Sequence, residues 1–426
     1  MTVAVTITFL VLMFLGMPVA FAVGVATMSF FALSDTIPTS IGIQRIVSAT
    51  QSFPLLAVPL FVLAGNLMNV SGITERLIHL ATTLAGWMRG GLAQVAILLS
   101  CLMGGVSGSA VAEAAMEARI LGPAMLKQGY SKGFTCGSVA VGALITATIP
   151  PSIGLILYGF LGNVSIGKLF IGGIVPGLLM TAFLMTTAYL ISVKRGYKPA
   201  LKERPSLRQI ARDTNSCKWA LLFPVFLLVG IRYGVFTPSE AGAFAVAYAV
   251  AIGAFVYREL TWAKTLDALH RSASDVGMIM LIIMFSSMAG YMITLDRVPQ
   301  SATEVLAAVT RDPTLLMFIL VGFLLALGMF LESTVIVLLL TPILVPVVTA
   351  VGIDPVHFGL VMMTCVTFGG MTPPVGVAMY AVCGILNCSM DEYTRGAYPF
   401  MVAIVALVAI MILWPDLVMF LPNALM

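Results

Sequence analysis

The chain has 426 residues, of which 60% are hydrophobic and only 9% are charged. A soluble domain normally carries about a quarter charged residues, so this composition excludes a soluble globular protein and predicts an all-α polytopic membrane protein. The net charge of +4 gives no indication of nucleic-acid binding, because the basic residues lie in loops between apolar segments.

Apolar runs close to the ~20 residues that cross a hydrocarbon core predict the membrane spans. In chain order they cover residues 4–32, 52–70, 133–159, 168–193, 217–235, 239–257, 274–295, 355–385 and 396–421. The first run has no basic residue before it and no small-residue cleavage site, so we expect an uncleaved span. Amphipathic or polar-dotted pieces predict helices at the membrane interface. These cover residues 41–50, 73–88, 261–272 and 299–310.

Two apolar stretches remain, 91–126 and 313–348, and each could form two full spans or one re-entrant hairpin. The limb 91–105 rises only about 22 Å at 1.5 Å per residue, which is short of a ~30 Å hydrocarbon core. We therefore favour hairpins. Their irregular backbone is tolerated at membrane depth only where protein or a wet cavity covers it.

With hairpins, residues 1–195 and 236–426 become equivalent units of four crossings each. Residues 196–235 then form a cytoplasmic loop and a connecting span, which turns the second unit over, so the repeats are predicted to be inverted. Each repeat contains scaffold helices, one hairpin (91–126 or 313–348) and one discontinuous helix (133–159 or 355–385).

The distribution of basic residues favours a cytoplasmic N-terminus. In that orientation 16 of the 22 Lys and Arg lie inside, 5 lie outside and 1, Arg119, lies in the first hairpin. Cytoplasmic loops of membrane proteins carry the excess of Lys and Arg, so these charges support the orientation independently of the repeats.

Helix-breaking residues recur in the same order in the two halves. A shift of 223 superimposes Gly105 on Gly328, Ser109 on Glu332, Pro123 on Pro346, Pro150 on Pro373 and Pro151 on Pro374. A shift of 222 then matches Gly154 with Gly376 and Tyr158 with Tyr380. Paired Gly/Pro-interrupted apolar segments point to the binding site of a transporter.

The chemistry of these motifs suits ions. Double prolines interrupt a helix and free its carbonyl oxygens, which bind a small hard cation together with the hydroxyls of Ser107, Ser109, Thr148 and Ser152. The helix that restarts after Ser109 presents free amides, which suit a carboxylate. The second half repeats this plan, with a polar hairpin tip facing a second break. Its residues are Glu332, Ser333 and Thr334, opposite Thr367, Gly369, Gly370, Thr372, Pro373, Pro374 and Gly376. The alternative is that these small residues only let membrane helices pack closely.

Several other polar residues lie in or beside apolar segments. Charged side chains inside membrane segments should face a cavity or a partner, and Glu332 is the most informative of them. Glu113 and Glu117 share one helix face, whereas Arg119 points elsewhere. Glu240 has the spacing of a capping box with Thr237. The six cysteines show no metal-type spacing and are expected to be reduced packing residues, and the three histidines form no ligand pattern.

At these motifs the chain resembles the large membrane subunit of the tripartite ATP-independent periplasmic (TRAP) transporters. The matching segments are Ser52–Phe61, Gly104–Ala110, Pro150–Ile153, Phe236–Ala241 and Thr372–Pro374. The resemblance implies an elevator-type, sodium-coupled importer of organic acids in a bacterial inner membrane. It also implies a small four-helix membrane subunit, expected as a separate chain, and a soluble periplasmic solute receptor. The usual solutes are C4-dicarboxylates, sialic acid and related sugar acids.

By motif position, the resemblance places two sodium sites on the hairpin tips and facing breaks, with the carboxylate solute between them. The sodium candidates are Ser107, Gly108, Ser109, Thr148, Pro150, Glu332, Ser333, Thr367, Gly370, Thr372 and Pro374. The solute candidates are Ser109, Ser152, Glu332, Ser333 and Thr334. No organic cofactor or nucleic acid is expected, and lipid surrounds the protein. A stand-alone ion-coupled carboxylate symporter remains the alternative, and a membrane enzyme is disfavoured because no metal cluster or nucleophile-base pair is evident.

Overall fold

The fold is known from a computed structural model that describes residues 2–34, 37–310 and 312–426, and the described chain is helical throughout. The helices of the first half are α1 Thr2–Phe14, α2 Val19–Leu33, α3 Thr39–Thr50, α4 Ala57–Val70, α5 Ile73–Ala85, α6 Gly91–Gly104, α7 Ala110–Ile120, α8 Gly122–Lys127, α9 Lys132–Gly142, α10 Leu144–Thr148, α11 Ile153–Leu161 and α12 Ile166–Arg195. Those of the second half are α13 Leu207–Arg232, α14 Pro238–Ala251, α15 Trp262–Leu295, α16 Val298–Val309, α17 Pro313–Gly328, α18 Ser333–Ala350, α19 Pro355–Gly369, α20 Val377–Leu386, α21 Met390–Leu413 and α22 Pro415–Leu425.

The prediction of a polytopic helical membrane protein is confirmed. Within the described residues, seven helices are long and apolar enough to cross a membrane, and the bent pair Lys132–Thr148 and Ile153–Leu161 makes an eighth if it forms one span. Many large side chains on these helices stay exposed, as expected where lipid rather than water covers the surface.

The predicted single span 4–32 is wrong, because the structure has two helices there. Gly16 takes a positive φ of 87° and Pro18 precedes α2, so the helix stops between them. Val5 belongs to the same buried cluster as Phe30 and Phe31, which places the start of α1 beside the end of α2. The two helices therefore fold back on each other, a reversal that an unbroken apolar run conceals.

Two further boundaries differ from the prediction. The expected interface helix 261–272 and the span 274–295 form one continuous helix, α15, because no helix breaker separates them. The last predicted span, 396–421, ends at Leu413, and a separate helix begins at Pro415. Trp414 leaves the helical conformation, with φ -130° and ψ 71°, and Pro415 suits the first turn of the new helix because that turn needs no backbone N–H donor.

Each predicted hairpin is a helix pair joined by a short connection. In the first, the Ser100 hydroxyl on α6 donates to the Glu117 carboxylate on α7 over 2.9 Å. These residues are equally far from the tip, so the two limbs run antiparallel. In the second, residues 329–332 connect α17 to α18. At 18 residues, α18 is long enough to cross a membrane, so the depth of the hairpins in the bilayer stays a prediction.

Both predicted discontinuous helices are interrupted at their double prolines. The first consists of α9, α10 and α11, and its segments bend by 46° across residues 149–152. The second consists of α19 and α20, which are separated by residues 370–376. Both Pro-Pro peptide bonds are cis. Pro150, Pro151 and Ser152 of the first break are buried, so neighbouring helices cover the freed backbone groups there, whereas Pro374 and Val375 of the second break are exposed.

Candidate functional site

One cavity of about 500 Å³ lies where the two hairpin tips and the two helix breaks meet. It is lined from the first half by the tip residues Ser107 and Ser109 and by Ser152 at the break. From the second half it is lined by Glu332 at the tip and Thr367 before the break. Residues far apart in sequence thus enclose one volume large enough for a small organic solute.

The first tip is packed tightly against the first break. Gly108 has a positive φ of 64°, and a Cβ atom built on it would lie 2.5 Å from the carbonyl oxygen of Pro151. Only glycine satisfies both the backbone conformation and this contact. The Thr146 hydroxyl on α10 donates to the Ser100 carbonyl on α6 over 3.0 Å, which fixes the hairpin limb to the broken helix.

The second tip is fixed to the second break through the backbone. The Gly376 amide in the break donates to the Met329 carbonyl at the tip over 3.1 Å. A Cβ atom on Gly328 would lie 2.8 Å from the Val366 carbonyl oxygen, so the helices approach at a distance that excludes a side chain. The paired glycines of the sequence, Gly105 and Gly328, are both buried.

Glu332 caps the helix that follows it. Its carboxylate accepts hydrogen bonds from the Thr334 amide at 2.8 Å, the Thr334 hydroxyl at 2.9 Å and the Ser333 hydroxyl at 3.0 Å. A carboxylate at a helix N-terminus is favourable because it satisfies free amides and meets the positive end of the helix dipole. Glu332 also lines the cavity, so it combines this structural role with a position beside any bound solute.

The first tip has no such cap. Ser109 occupies the N-cap position of α7, but its side chain makes no capping hydrogen bond. The two acids of α7 lie deeper in the protein: Glu113 accepts from the Ser107 hydroxyl at 3.2 Å and Glu117 from Ser100. One carboxylate oxygen of each acid is buried without a hydrogen-bond partner in the structure. Arg119, as the sequence indicated, points away from this face and is exposed.

The structure brings nine of the predicted site residues to the cavity wall. They are Ser107, Gly108, Ser109, Ser152, Glu332, Ser333, Thr334, Thr367 and Gly370. The hydroxyl oxygens of Ser152 and Thr367 are buried there and have no hydrogen-bond partner. Such orphaned acceptors inside a wall of small residues are free to meet a cation or a solute hydroxyl.

Four predicted residues, Thr148, Pro150, Thr372 and Pro374, lie outside the cavity lining. The Thr148 hydroxyl donates to the Leu144 carbonyl at 3.2 Å, and the Thr372 hydroxyl donates to the Gly369 carbonyl at 2.7 Å. Each hydroxyl therefore closes its own helix end. An oxygen that donates its proton still has lone pairs for a cation, so the role proposed for these residues stays a prediction.

Sequence reasoning missed the wall formed by α4 and α15. Asn66 and Asn69 on α4 and Asp275 on α15 line the cavity. The Asn66 amide donates to Asp275 at 3.2 Å and to Ser272 at 3.0 Å, which links the two helices. The available signal was a carboxylate at the start of an apolar span, a position that normally has a functional reason.

The cavity carries no basic side chain among its described lining residues, whereas it has two carboxylates, Asp275 and Glu332. An anionic solute bound there would lie in a negative environment. Positive charge must therefore come from the solute itself, from cations that bind with it, or from helix N-termini.

The capping interpretation of Glu240 is confirmed. The Thr237 amide and hydroxyl both donate to the Glu240 carboxylate at 2.7 Å, and the Thr237 hydroxyl accepts from the Glu240 amide. The pair forms a capping box at the start of α14 and does not line the cavity. All six cysteines are free in the structure, and all but Cys101 are buried.

Residues 6–417 match the family described as "Tripartite ATP-independent periplasmic transporter, DctM component". The chain is 36% identical to the sialic acid TRAP transporter large permease protein SiaM of Vibrio cholerae, over 97% of this chain and 96% of that one. It is 34% identical to the 2,3-diketo-L-gulonate TRAP transporter large permease protein YiaN of Escherichia coli, over 95% of each chain.

A longer relative is the sialic acid TRAP transporter permease protein SiaT of Haemophilus influenzae, which is 35% identical over 98% of this chain and 68% of its own length. Among solved structures, the efflux pump MtrF of Neisseria gonorrhoeae aligns with a TM-score of 0.55 and 14% identity, over 86% of this chain and 83% of that one. This likeness concerns the fold alone. The family match over nearly the whole chain and the identities above 30% agree with the resemblance found in the motifs. The chain belongs to the family of large permease subunits of TRAP transporters and is a multi-pass protein of the inner membrane.

Proposed function

We propose that this chain is the large membrane subunit of a sodium-coupled importer of organic acids. A periplasmic receptor delivers the solute, and a small four-helix membrane subunit completes the complex. The observation that carries this proposal is the single cavity shared by both tips and both breaks, lined by two carboxylates and no described Lys or Arg. A carboxylate solute needs compensating positive charge in such a place, and bound cations supply it.

Two sodium ions fit the arrangement of the paired motifs. Ser107, Gly108 and Ser109, with Thr148 and Pro150 of the facing break, form the first proposed site. Glu332 and Ser333, with Thr367, Gly370, Thr372 and Pro374, form the second. Carbonyl and hydroxyl oxygens suit a hard cation, and the orphaned oxygen of Thr367 is such a group.

The solute lies between these sites in this proposal. Its carboxylate meets the uncapped start of α7 at Ser109, and its hydroxyls meet Ser152, Ser333 and Thr334. The uncapped helix start and the orphaned Ser152 hydroxyl support this placement. The repeats then move as an elevator, carrying solute and cations together. Because the cations offset its charge, the solute avoids the cost of an unpaired charge in hydrocarbon.

Uptake into proteoliposomes tests the proposal. The parent complex, with small subunit and receptor, should accumulate solute only under an inward sodium gradient. Ser109→Ala and Thr372→Ala should each weaken the sodium dependence while leaving the fold intact. Ser286→Ala is the control, because Ser286 is a buried hydroxyl residue like Thr372 but lies outside the cavity.

If both alanine variants kept the sodium dependence of the parent, the paired Gly/Pro and hydroxyl motifs would be interpreted as close-packing elements only. Robust uptake by the large subunit without a receptor would favour the stand-alone carboxylate symporter instead.

A second candidate solute class is favoured by Asp275. Its carboxylate faces the cavity from α15 and accepts a hydrogen bond from the neutral Asn66 amide. A zwitterion that carries an ammonium group besides its carboxylate would pair with it. Thermal-shift screening of the partner receptor against simple organic acids and amino acids separates the two classes. If only amino acids stabilised the receptor, a zwitterionic solute would be favoured over a simple organic acid.

A further inference from the structure

Three buried cysteine thiols meet outside the cavity lining. The Sγ atoms of Cys136, Cys383 and Cys388 all lie within 4.8 Å of one another. Cys136 lies on α9 in the first half of the chain, whereas Cys383 lies on α20 and Cys388 in the turn before α21. Their sequence spacing gave no metal pattern because the fold, not the local sequence, brings them together.

Close helix packing sets the position of Cys136. The helices α9 and α21 cross at backbone contact, since a Cβ atom on Gly137 would lie 2.7 Å from the Cα atom of Ala397. Gly133, one turn earlier on α9, packs in the same way against Gly396. Small residues four apart allow such an approach, and the resulting contact leaves the Cys136 side chain little freedom to move away.

The turn between α20 and α21 sets the position of the other two thiols. Asn387 takes a left-handed conformation with a φ of 48°, which ends α20 between Cys383 and Cys388. The Lys132 ammonium, at the start of α9, donates to the Asn387 carbonyl over 2.8 Å. This bond ties the turn to the helix that carries Cys136, so all three thiols are held before any ligand arrives.

We propose that Cys136, Cys383 and Cys388 form a three-coordinate site for the soft cation Cu(I). Thiolates select soft ions of this kind. With metal–sulfur bonds of about 2.3 Å, an ion at the centre of three sulfurs would set them ~4.0 Å apart, within the observed limit. Structural zinc sites have four ligands, and the cluster found among the described residues has three. Each ligating thiol releases its proton to solvent, and no electron is transferred.

Copper binding to the full-length chain in lipid nanodiscs tests the site. The reduced protein is titrated anaerobically with Cu(I) in competition with bicinchoninate. The parent should bind one ion per chain, with X-ray absorption reporting three sulfur neighbours. Cys136→Ser and Cys383→Ser should each weaken binding by ~10-fold or more. Cys365→Ser is the matched control, because Cys365 is equally buried on α19 but lies outside the cluster.

A second measurement avoids any substitution that could disturb folding. Cu(I) should protect Cys136, Cys383 and Cys388 of the parent from alkylation under partly denaturing conditions, as read by mass spectrometry, and leave Cys365 unprotected. Equal copper binding by the parent and the Cys136→Ser variant would overturn the proposal. So would protection of all cysteines alike, or formation of a disulfide within the cluster in place of copper binding.

Discussion

The two hairpin tips share a backbone plan but differ in charge. At the second tip, Glu332 turns its carboxylate onto the amides of α18 and supplies its own anion. At the first tip, the equivalent Ser109 leaves the start of α7 without a side-chain cap, while the acids of α7 lie one and two turns further along the helix. Comparison of the two tips shows that a sequence repeat can keep the same backbone path while matched positions differ in charge at the start of the following helix.

We expect this asymmetry to give the two tips different partners. A helix start that is already capped by a carboxylate repels a second anion and favours a cation, whereas an uncapped start attracts an anion. We therefore expect the solute carboxylate at the first tip and the stronger cation site at the second. Variants that break tip packing, remove the cap or transfer it to the other tip distinguish these expectations.

The largest effect should come from adding a methyl group where each tip meets its break. Gly108→Ala puts a Cβ atom 2.5 Å from a backbone oxygen of Pro151, and Gly328→Ala puts one 2.8 Å from that of Val366. Backbone cannot yield as a side chain can, so uptake should fall to background in both variants. Gly129→Ala, at a glycine that also has a positive φ (84°) but lies in open space, and Gly322→Ala, also in open space, are their controls.

Uptake and thermal unfolding of the four variants are compared in the same vesicles. If only one tip were sensitive, the two tips would not be equivalent docking elements.

Transferring the cap should have the next largest effect. Ser109→Glu provides α7 with the carboxylate that Glu332 gives to α18, so it should fill the proposed anion site. We expect the apparent KM for solute to rise ~10-fold, which corresponds to about 1.4 kcal/mol of binding, with thermal stability unchanged or slightly higher. Ser109→Ala, which lacks the added charge, is the control. A parental KM in the glutamate variant would place the solute elsewhere.

Removing the existing cap should have a moderate effect. Glu332→Gln keeps the size of the side chain but loses its charge at the start of α18. The unfolding free energy should fall by about 1 kcal/mol, the usual worth of an N-cap. If Glu332 also faces the second cation, the variant should need a higher sodium concentration for half-maximal uptake. This increase, as a fold-change, should exceed the fold-decrease in protein abundance. Glu240→Gln, which removes a cap far from the cavity, should lower stability without moving the sodium response.

The smallest effect, on labelling alone, tests the orientation of the repeats. In a cysteine-free background, Pro205→Cys should react with an impermeant maleimide only after the cells are opened, and Thr303→Cys should react from outside intact cells. The charge tally of 16 basic residues inside and 5 outside motivates this expectation. The reverse labelling pattern would show that the predicted orientation of the chain in the membrane is inverted.

The sequence predicted the tips and breaks well because glycine and proline fix backbone geometry locally. Gly108 and the two double prolines occupy the positions that their conformational limits demand. The wall formed by Asn66 and Asp275 could not be inferred, because it depends on which distant helices face the hairpins. The reversal between α1 and α2 was missed because apolar side chains look alike in one long span or two short helices. Capping by Glu332 was equally hidden, since a membrane carboxylate suggests a ligand before it suggests a cap.

The length of the unbroken helix α15 should make its tilt depend on the thickness of the bilayer. Its 34 residues extend roughly 51 Å at 1.5 Å per residue, far beyond a hydrocarbon core of ~30 Å. Such a helix must tilt or project from the membrane, and its angle depends on the length of the surrounding acyl chains. Because Asp275 and Ile282 of this helix form one side of the cavity, a change in tilt moves that side relative to the hairpins. We therefore expect lipid composition to alter the shape of the binding site without direct contact between lipid and that site.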